Sequence, residues 1–177
     1  MKHARSGFTL IELLVVIAII GILASTVLAS LGSARARSQV ASTLSELRQV
    51  SIAAETLFIH TGLYPHQQTT VCPAQLDSDN EVDLSTPAAG IVATDGSYND
   101  WKGPYMSSVL DPWGTPYFLD EDYQCTAGVE GCNGVIFTGS NYTSALISCG
   151  PDRQLDSSNG NACAYNADNI IRVFCQS

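Results

Sequence analysis

Apolar residues are distributed along the chain in three patterns. Over residues 8–31 they are nearly unbroken, with Glu12 the one charge and no proline. That run is about 24 residues, or about 36 Å as a helix, enough to cross a bilayer core of about 30 Å. Next, Val40, Leu44, Leu47, Val50, Ala54 and Phe58 recur at spacings of three and four, which predicts an amphipathic continuation of the helix. Arg37, Ser42, Glu46 and Gln49 fall on its other sides. Gly62 and then Pro65 signal its end. Farther on, apolar clusters predict short strands at 116–119, 135–138, 144–148 and 170–174. Residues 66–100, rich in Gln, Thr, Ser, Asp, Ala and Gly, read as a long surface loop with little regular structure. The expected fold is α+β: a long N-terminal helix, half transmembrane (8–31) and half amphipathic (32–62), packed on a small antiparallel sheet in a head of residues 63–177.

Charge divides the chain. Net charge is −9, yet residues 61–177 hold only Lys102, Arg153 and Arg172 against fourteen Asp and Glu. So acidic a head repels nucleic acid and anionic lipid and is suited to cations. All six cysteines lie in it: Cys72, Cys125, Cys132, Cys149, Cys163 and Cys175. An even number in a small exported domain reads as disulfides, with fifteen pairings possible. The expectation is a local Cys125–Cys132 loop, Cys149–Cys163, and Cys72–Cys175 joining the start of the head to its end. Free thiols or a metal site are the alternatives, though no C-x-x-C pair is present to suggest zinc.

Lys2 and Arg5 precede the apolar run and orient it with its start in the cytoplasm, while Arg35 and Arg37 behind it weaken that bias. A removable signal peptide would end in a small-residue cleavage site, for which Ala24-Ser25-Thr26 and Ala29-Ser30 are weak candidates. Neither a signal peptide nor a plain anchor explains Glu12. A lone carboxylate at membrane depth costs a few kcal/mol and needs a partner.

Gly7-Phe8-Thr9-Leu10-Ile11-Glu12 followed by the apolar run resembles the N-terminus of type IV pilins and pseudopilins, G-F-T-L-I-E, at every position. The resemblance implies that residues 1–7 are a leader, cut between Gly7 and Phe8 by a prepilin peptidase that then methylates Phe8. The charge would move from −9 to −11 with the loss of Lys2 and Arg5. It also implies that Glu12 pairs with the new amine of Phe8 on a neighbouring subunit, a contact formed only on correct docking. Thr61-Gly62-Leu63-Tyr64-Pro65 is similar to the G-x-Y-P that closes the pilin helix. Many members carry a proline where this chain has Ala29, leaving Gly21 and Gly32 as the only breakers in the apolar half.

Two further stretches, Trp101-Lys102-Gly103-Pro104-Tyr105 and Asp111-Pro112-Trp113-Gly114-Thr115-Pro116-Tyr117, resemble the W-x-G-P-Y and D-P-W-G-x-P-Y of the type II secretion major pseudopilin. Read on their residues alone they are rigid turns anchored by aromatics. Ser148-Cys149-Gly150-Pro151-Asp152 is similar to that family's S-L-G-A-D, and Asn166-Ala167-Asp168-Asn169-Ile170 to its N-A-D-I. The resemblance implies a calcium ion there, with carboxylates from Asp152 and Asp168 and a carbonyl from Cys149. Asp156 is a third acid without a counterpart in the family pattern. The Asp152–Asp168 spacing is longer than the family's, Arg153 replaces a glycine, and a Cys149–Cys163 bridge would pin the same loop without a metal. A separate acidic run, 77–83, alternates like an EF-hand but has Val82 and Ala88 where Gly and Glu belong.

Signs of an enzyme are missing: His3, His60 and His66 form no metal pair, and no nucleophile elbow or phosphate loop is present. The expected function is a structural subunit of a homo-oligomeric helical filament, most like a type II secretion major pseudopilin. Its partners would be the prepilin peptidase, an assembly platform, minor pilins and the inner membrane, with the head extracytoplasmic and no nucleic acid bound. The alternative is a minor pilin or adhesin whose acidic head binds a surface.

Overall fold

A computed structural model describes residues 9–69, 81–125, 132, 142–154 and 168–173. One helix, α1 (Leu10–Thr61), is followed by four strands, β1 (Val82–Asp83), β2 (Phe118–Gln124), β3 (Tyr142–Ser148) and β4 (Ile170–Val173). The chain divides into two compact units, residues 1–39 and 40–177.

In the first unit every large apolar side chain from Leu10 to Leu31 is exposed, by 47–81%. The hydroxyls in this run are turned back on the helix. Ser25, Thr26, Ser30 and Ser33 donate to the carbonyls of Ile22, Leu23, Val27 and Ser30 at 2.8–3.0 Å. This part of α1 therefore has an apolar surface and needs no outside hydrogen-bond partner for those hydroxyls, which is what a hydrocarbon environment requires. By length and composition it is long and apolar enough to cross a membrane.

In the second unit α1 buries Thr43, Leu47, Val50, Ser51, Ala53, Ala54 and Leu57. The seam is shifted from the predicted stripe. Val40 and Leu44 are exposed, and Phe58 is half-buried, stacked on Tyr64 with ring centroids 4.3 Å apart. The shift has a cause in the polar positions. Tyr117 rises from the head to meet Thr43 and Glu46, so two residues predicted away from the core or not assigned to it flank the seam. Gly62, at φ +75°, ends the helix as expected, its N–H bonded to the Phe58 carbonyl at 2.7 Å.

The sheet runs in the order β1-β2-β3-β4, all neighbours antiparallel. Register places Leu119, Leu146 and Arg172 across from one another on one face and Phe118, Ile147 and Ile171 on the other. Leu119, Leu146 and Ile170 join the α1 seam, with Val82, Leu84, Ala89, Ile91, Tyr98, Val109 and Tyr117, in the main core. The opposite face is buried as well: Phe118, Tyr123, Ala145, Ile147 and Val173 cluster with Cys125, Cys132 and Cys149.

Two expectations need correction, and a third is not reached. The 66–100 stretch, expected as a surface loop with little regular structure, is not confined to the surface where it is described. It supplies β1 and a 3-10 turn at Pro87–Ala89, and it buries Leu84, Ala89 and Ile91 completely. A two-residue strand carries no alternation to read. The strand expected at 116–119 begins at Phe118, because Pro116 has no N–H to give a ladder, and it runs on to Gln124 through Asp120-Glu121-Asp122. A register shift between Asp120 and Tyr123 marks a bulge that accommodates those acids. The expectation at 135–138 lies outside the described residues.

Candidate functional site

The first site is the N-terminal turn of α1. Gly7 and Phe8 lie outside the described residues. Thr9 is the residue before the helix, and Glu12 sits in the first turn. The Thr9 N–H and hydroxyl donate to Glu12 Oε2 at 2.8 and 2.6 Å, and the Glu12 N–H returns to Thr9 Oγ1 at 3.3 Å. This is a reciprocal capping box, in which two otherwise unpaired helix-end donors are satisfied. Sequence reading missed it, although Thr9-Leu10-Ile11-Glu12 spells T-x-x-E ahead of an apolar run. Glu12 thus has a partner within its own chain, bonded through Oε2.

The second site is the junction of the loop after β3 with the start of β4. The Asp152 N–H donates to Asp168 Oδ2 at 3.2 Å, and Asp152 Oδ1 accepts the Gln154 N–H at 2.8 Å. The turn depends on Gly150: at φ +74°, a Cβ there would stand 2.1 Å from the Asp168 carbonyl oxygen. Beside it Asn169 is 1% exposed, and among the described residues neither polar atom of its side chain has a hydrogen-bond partner. Of the expected ligands the fold brings Asp152, Asp168 and Cys149 together along this junction; Asp156 lies outside the described residues. Among the described residues no three His, Cys, Asp or Glu side chains gather as a metal site. The junction holds two carboxylates, each accepting a backbone N–H, together with backbone carbonyls, and oxygens of that kind are hard donors of the type calcium takes.

Disulfides brace the sheet's outer face. Cys125, just after β2, is bonded to Cys132 with Cα atoms 5.4 Å apart, as expected. Cys149 is also disulfide-bonded. Cys72, Cys163 and Cys175 lie outside the described residues, and with them the expected Cys149–Cys163 and Cys72–Cys175 pairs.

A polar tie between helix and head was not foreseen. The Tyr117 hydroxyl donates to Glu46 Oε2 at 2.6 Å, and Ser42 donates to Glu46 Oε1 at 2.7 Å. Burial above all, then the Glu46 carboxylate, pushes the Tyr117 phenol far above its usual range and keeps it protonated. Six residues earlier, Asp111 closes the D-P-W-G-T turn: Oδ1 accepts the N–H groups of Trp113 and Thr115 at 3.0 and 2.9 Å, and Oδ2 accepts the Ser148 hydroxyl at 2.7 Å. The motif read as a rigid turn is therefore anchored at both ends, to α1 through Tyr117 and to β3 through Asp111.

The family described as "Prokaryotic N-terminal methylation motif" matches residues 2–28. The type II secretion system core protein G of Aeromonas hydrophila is 32% identical over 117 residues, 66% of this chain and 73% of that protein. The type IV major pilin protein PilE1 of Neisseria gonorrhoeae is 31% identical over 114 residues, 60% of this chain and 69% of that protein. The chain belongs to the family of type IV pilins and type II secretion pseudopilins, and as a member it is not an enzyme. The type IV major fimbrial protein FimA of Dichelobacter nodosus is more similar over a shorter stretch, 48% identical over 59 residues; that match spans 33% of this chain and 38% of FimA's length. No solved structure matches.

Proposed function

We propose that the chain is a structural subunit of a type IV filament, most like a type II secretion major pseudopilin. Prepilin peptidase cuts between Gly7 and Phe8 and methylates Phe8. The subunit waits in the inner membrane on the apolar half of α1, with its head extracytoplasmic. An assembly platform, with minor pilins, then draws the helices into a bundle. The observation that carries this reading is the stretch of α1 from Leu10 to Leu31, whose large apolar side chains are all exposed, whose hydroxyls are bonded to their own helix, and whose one carboxylate stands at the start. Glu12 accepts the Phe8 ammonium of the neighbouring subunit, and the capping box holds the carboxylate in place until that partner arrives. Mass spectrometry of protein recovered from cells tests it. An N-methylated Phe8 start is expected; a chain still beginning at Met1, or trimmed beyond Leu31, overturns it.

The preference for a pseudopilus rests on the two turn motifs and on the Asp111 closure of the second. Deletion of the gene is expected to abolish secretion of exported enzymes. Loss of twitching with secretion intact would assign the chain to a pilus instead.

A calcium ion at the β3–β4 junction is part of the proposal. Asp152 and Asp168 would hold it with carboxylate oxygens and Cys149 with its carbonyl, and the ion would supply positive charge between the two carboxylates. The support is the meeting of Asp152 with Asp168 and, beside them, the buried Asn169 amide, which has no hydrogen-bond partner among the described residues.

A further inference from the structure

The second unit leaves two isoleucines on one face of α1 uncovered. Ile52 and Ile59, two turns apart, are 62% and 77% exposed. Beside Ile52 lies a cleft of about 230 Å³, lined by Gln49, Ile52, Ala53, Thr56, Tyr105 and Met106. Its far wall is stiffened by aromatics: Tyr105 packs edge-on to Trp101 at 6.0 Å, and its hydroxyl meets His60 Nδ1 at 3.0 Å and accepts the Lys102 N–H at 3.2 Å. The wall is thus held in shape before anything enters.

The charges around the cleft say what could enter. Residues 40–177 carry four Lys and Arg against sixteen Asp and Glu, so heads of this chain repel one another over most of their surface. Two of those four cations neighbour its lining residues: exposed Arg48, next to Gln49 and one turn before Ile52 on the helix, and exposed Lys102, whose backbone N–H bonds the Tyr105 hydroxyl. Glu55 is the acid on the same helix face, between Ile52 and Ile59. The cleft therefore pairs exposed apolar side chains with the head's scarce positive charge.

We propose that this cleft is a docking surface for a second copy of the chain, receiving an acidic face of the next head. The contact is heterologous, cleft against a different surface, and contacts of that kind propagate into open helical filaments rather than closing as dimers. The inference rests on the filament reading given above and adds to it a contact between heads.

A photo-reactive phenylalanine analogue placed at position 52 of the full-length chain tests it in assembled filaments. The expected product is a covalent self-dimer joining position 52 to a different segment within residues 40–177 of another copy. Filaments that form yet give no self-dimer, cross-link only to another protein, or join position 52 to position 52 would overturn the proposal while leaving the filament reading intact. A chain that retains Met1 and never enters a filament would overturn both. Exposed Ile52 can also be changed without opening the core. Ile52→Asp is expected to lose sheared, pelletable filament at an unchanged membrane level of subunit, and Ile52→Lys to retain more than Ile52→Asp. Equal yields from both variants and the parent would remove the charge argument and the docking surface with it.

Discussion

The two halves of α1 solve opposite problems with the same backbone. Before residue 40 the apolar side chains face outward on every side, and the hydroxyls bond only to their own helix. From Thr43 to Leu57 one face is buried on a sheet, and polar groups reach across to the head through Tyr117 and Glu46. The first half is complete as a helix and incomplete as a surface. The second is a stripe whose packing defines the head. Substitutions in the first half should therefore alter what the chain joins, and those in the second whether it folds.

The sharpest way to break that comparison is Glu12→Val. Membrane insertion should be undiminished, since an apolar residue replaces a carboxylate that is costly at membrane depth. Filament yield, read by shearing and pelleting, should fall to background, and undiminished yield would show that the N-terminal turn does not govern assembly. Leu57→Ala, fully buried in the main core, should destabilise the head by about 2–5 kcal/mol, seen as a lowered melting temperature of the detergent-solubilised full chain. Tyr117→Phe removes the hydrogen bond to Oε2 of half-buried Glu46, leaving only the Ser42 bond to Oε1, and should cost about 1–3 kcal/mol in the same assay. Because the folded phenol is held above its unfolded pKa, unfolded chains release that proton first as pH rises. The Tyr117 contribution is therefore full below about pH 10 and lost above it. Alkaline melting curves of the parent should fall more steeply above that pH than those of Tyr117→Phe. Thr9→Val removes the hydroxyl of the capping box. It should cost about 1 kcal/mol at the helix end, read as faster hydrogen exchange in the first turn, with the head's melting unchanged. Calcium should raise the melting temperature of the full chain relative to chelator, and Asp168→Asn should reduce the difference; superimposable curves would remove the ion.

Period and length were enough to read α1, its end at Gly62, and two of the three long strands, because those features are written in side chains a few residues apart. The phase of the α1 seam was not, since it depends on Tyr117, 71 positions from Glu46 in sequence. β1 and the buried Leu84–Ile91 region were hidden for a similar reason. Their neighbours in sequence are polar, and only the cross-strand pairing of Val82 with Leu119 makes them core. β2 was read too short because three successive acids oppose strand propensity, and a bulge resolves the conflict. At the candidate site the reverse held. Glu12 stood out at once for its cost in an apolar run, and that cost drew attention away from Thr9, whose pairing with it follows from spacing alone.

The hydroxyls folded back along the first half of α1 carry a mechanical consequence. A neighbour lying against residues 13–31 meets no directional bond from Ser25, Thr26 or Ser30, because each is already committed to a carbonyl of its own helix. Two such rods can slip and roll past each other along that length at little cost. A fibre built from them would stretch under tension by sliding, and on the pairing proposed above Glu12 would be the detent that returns each rod to its place.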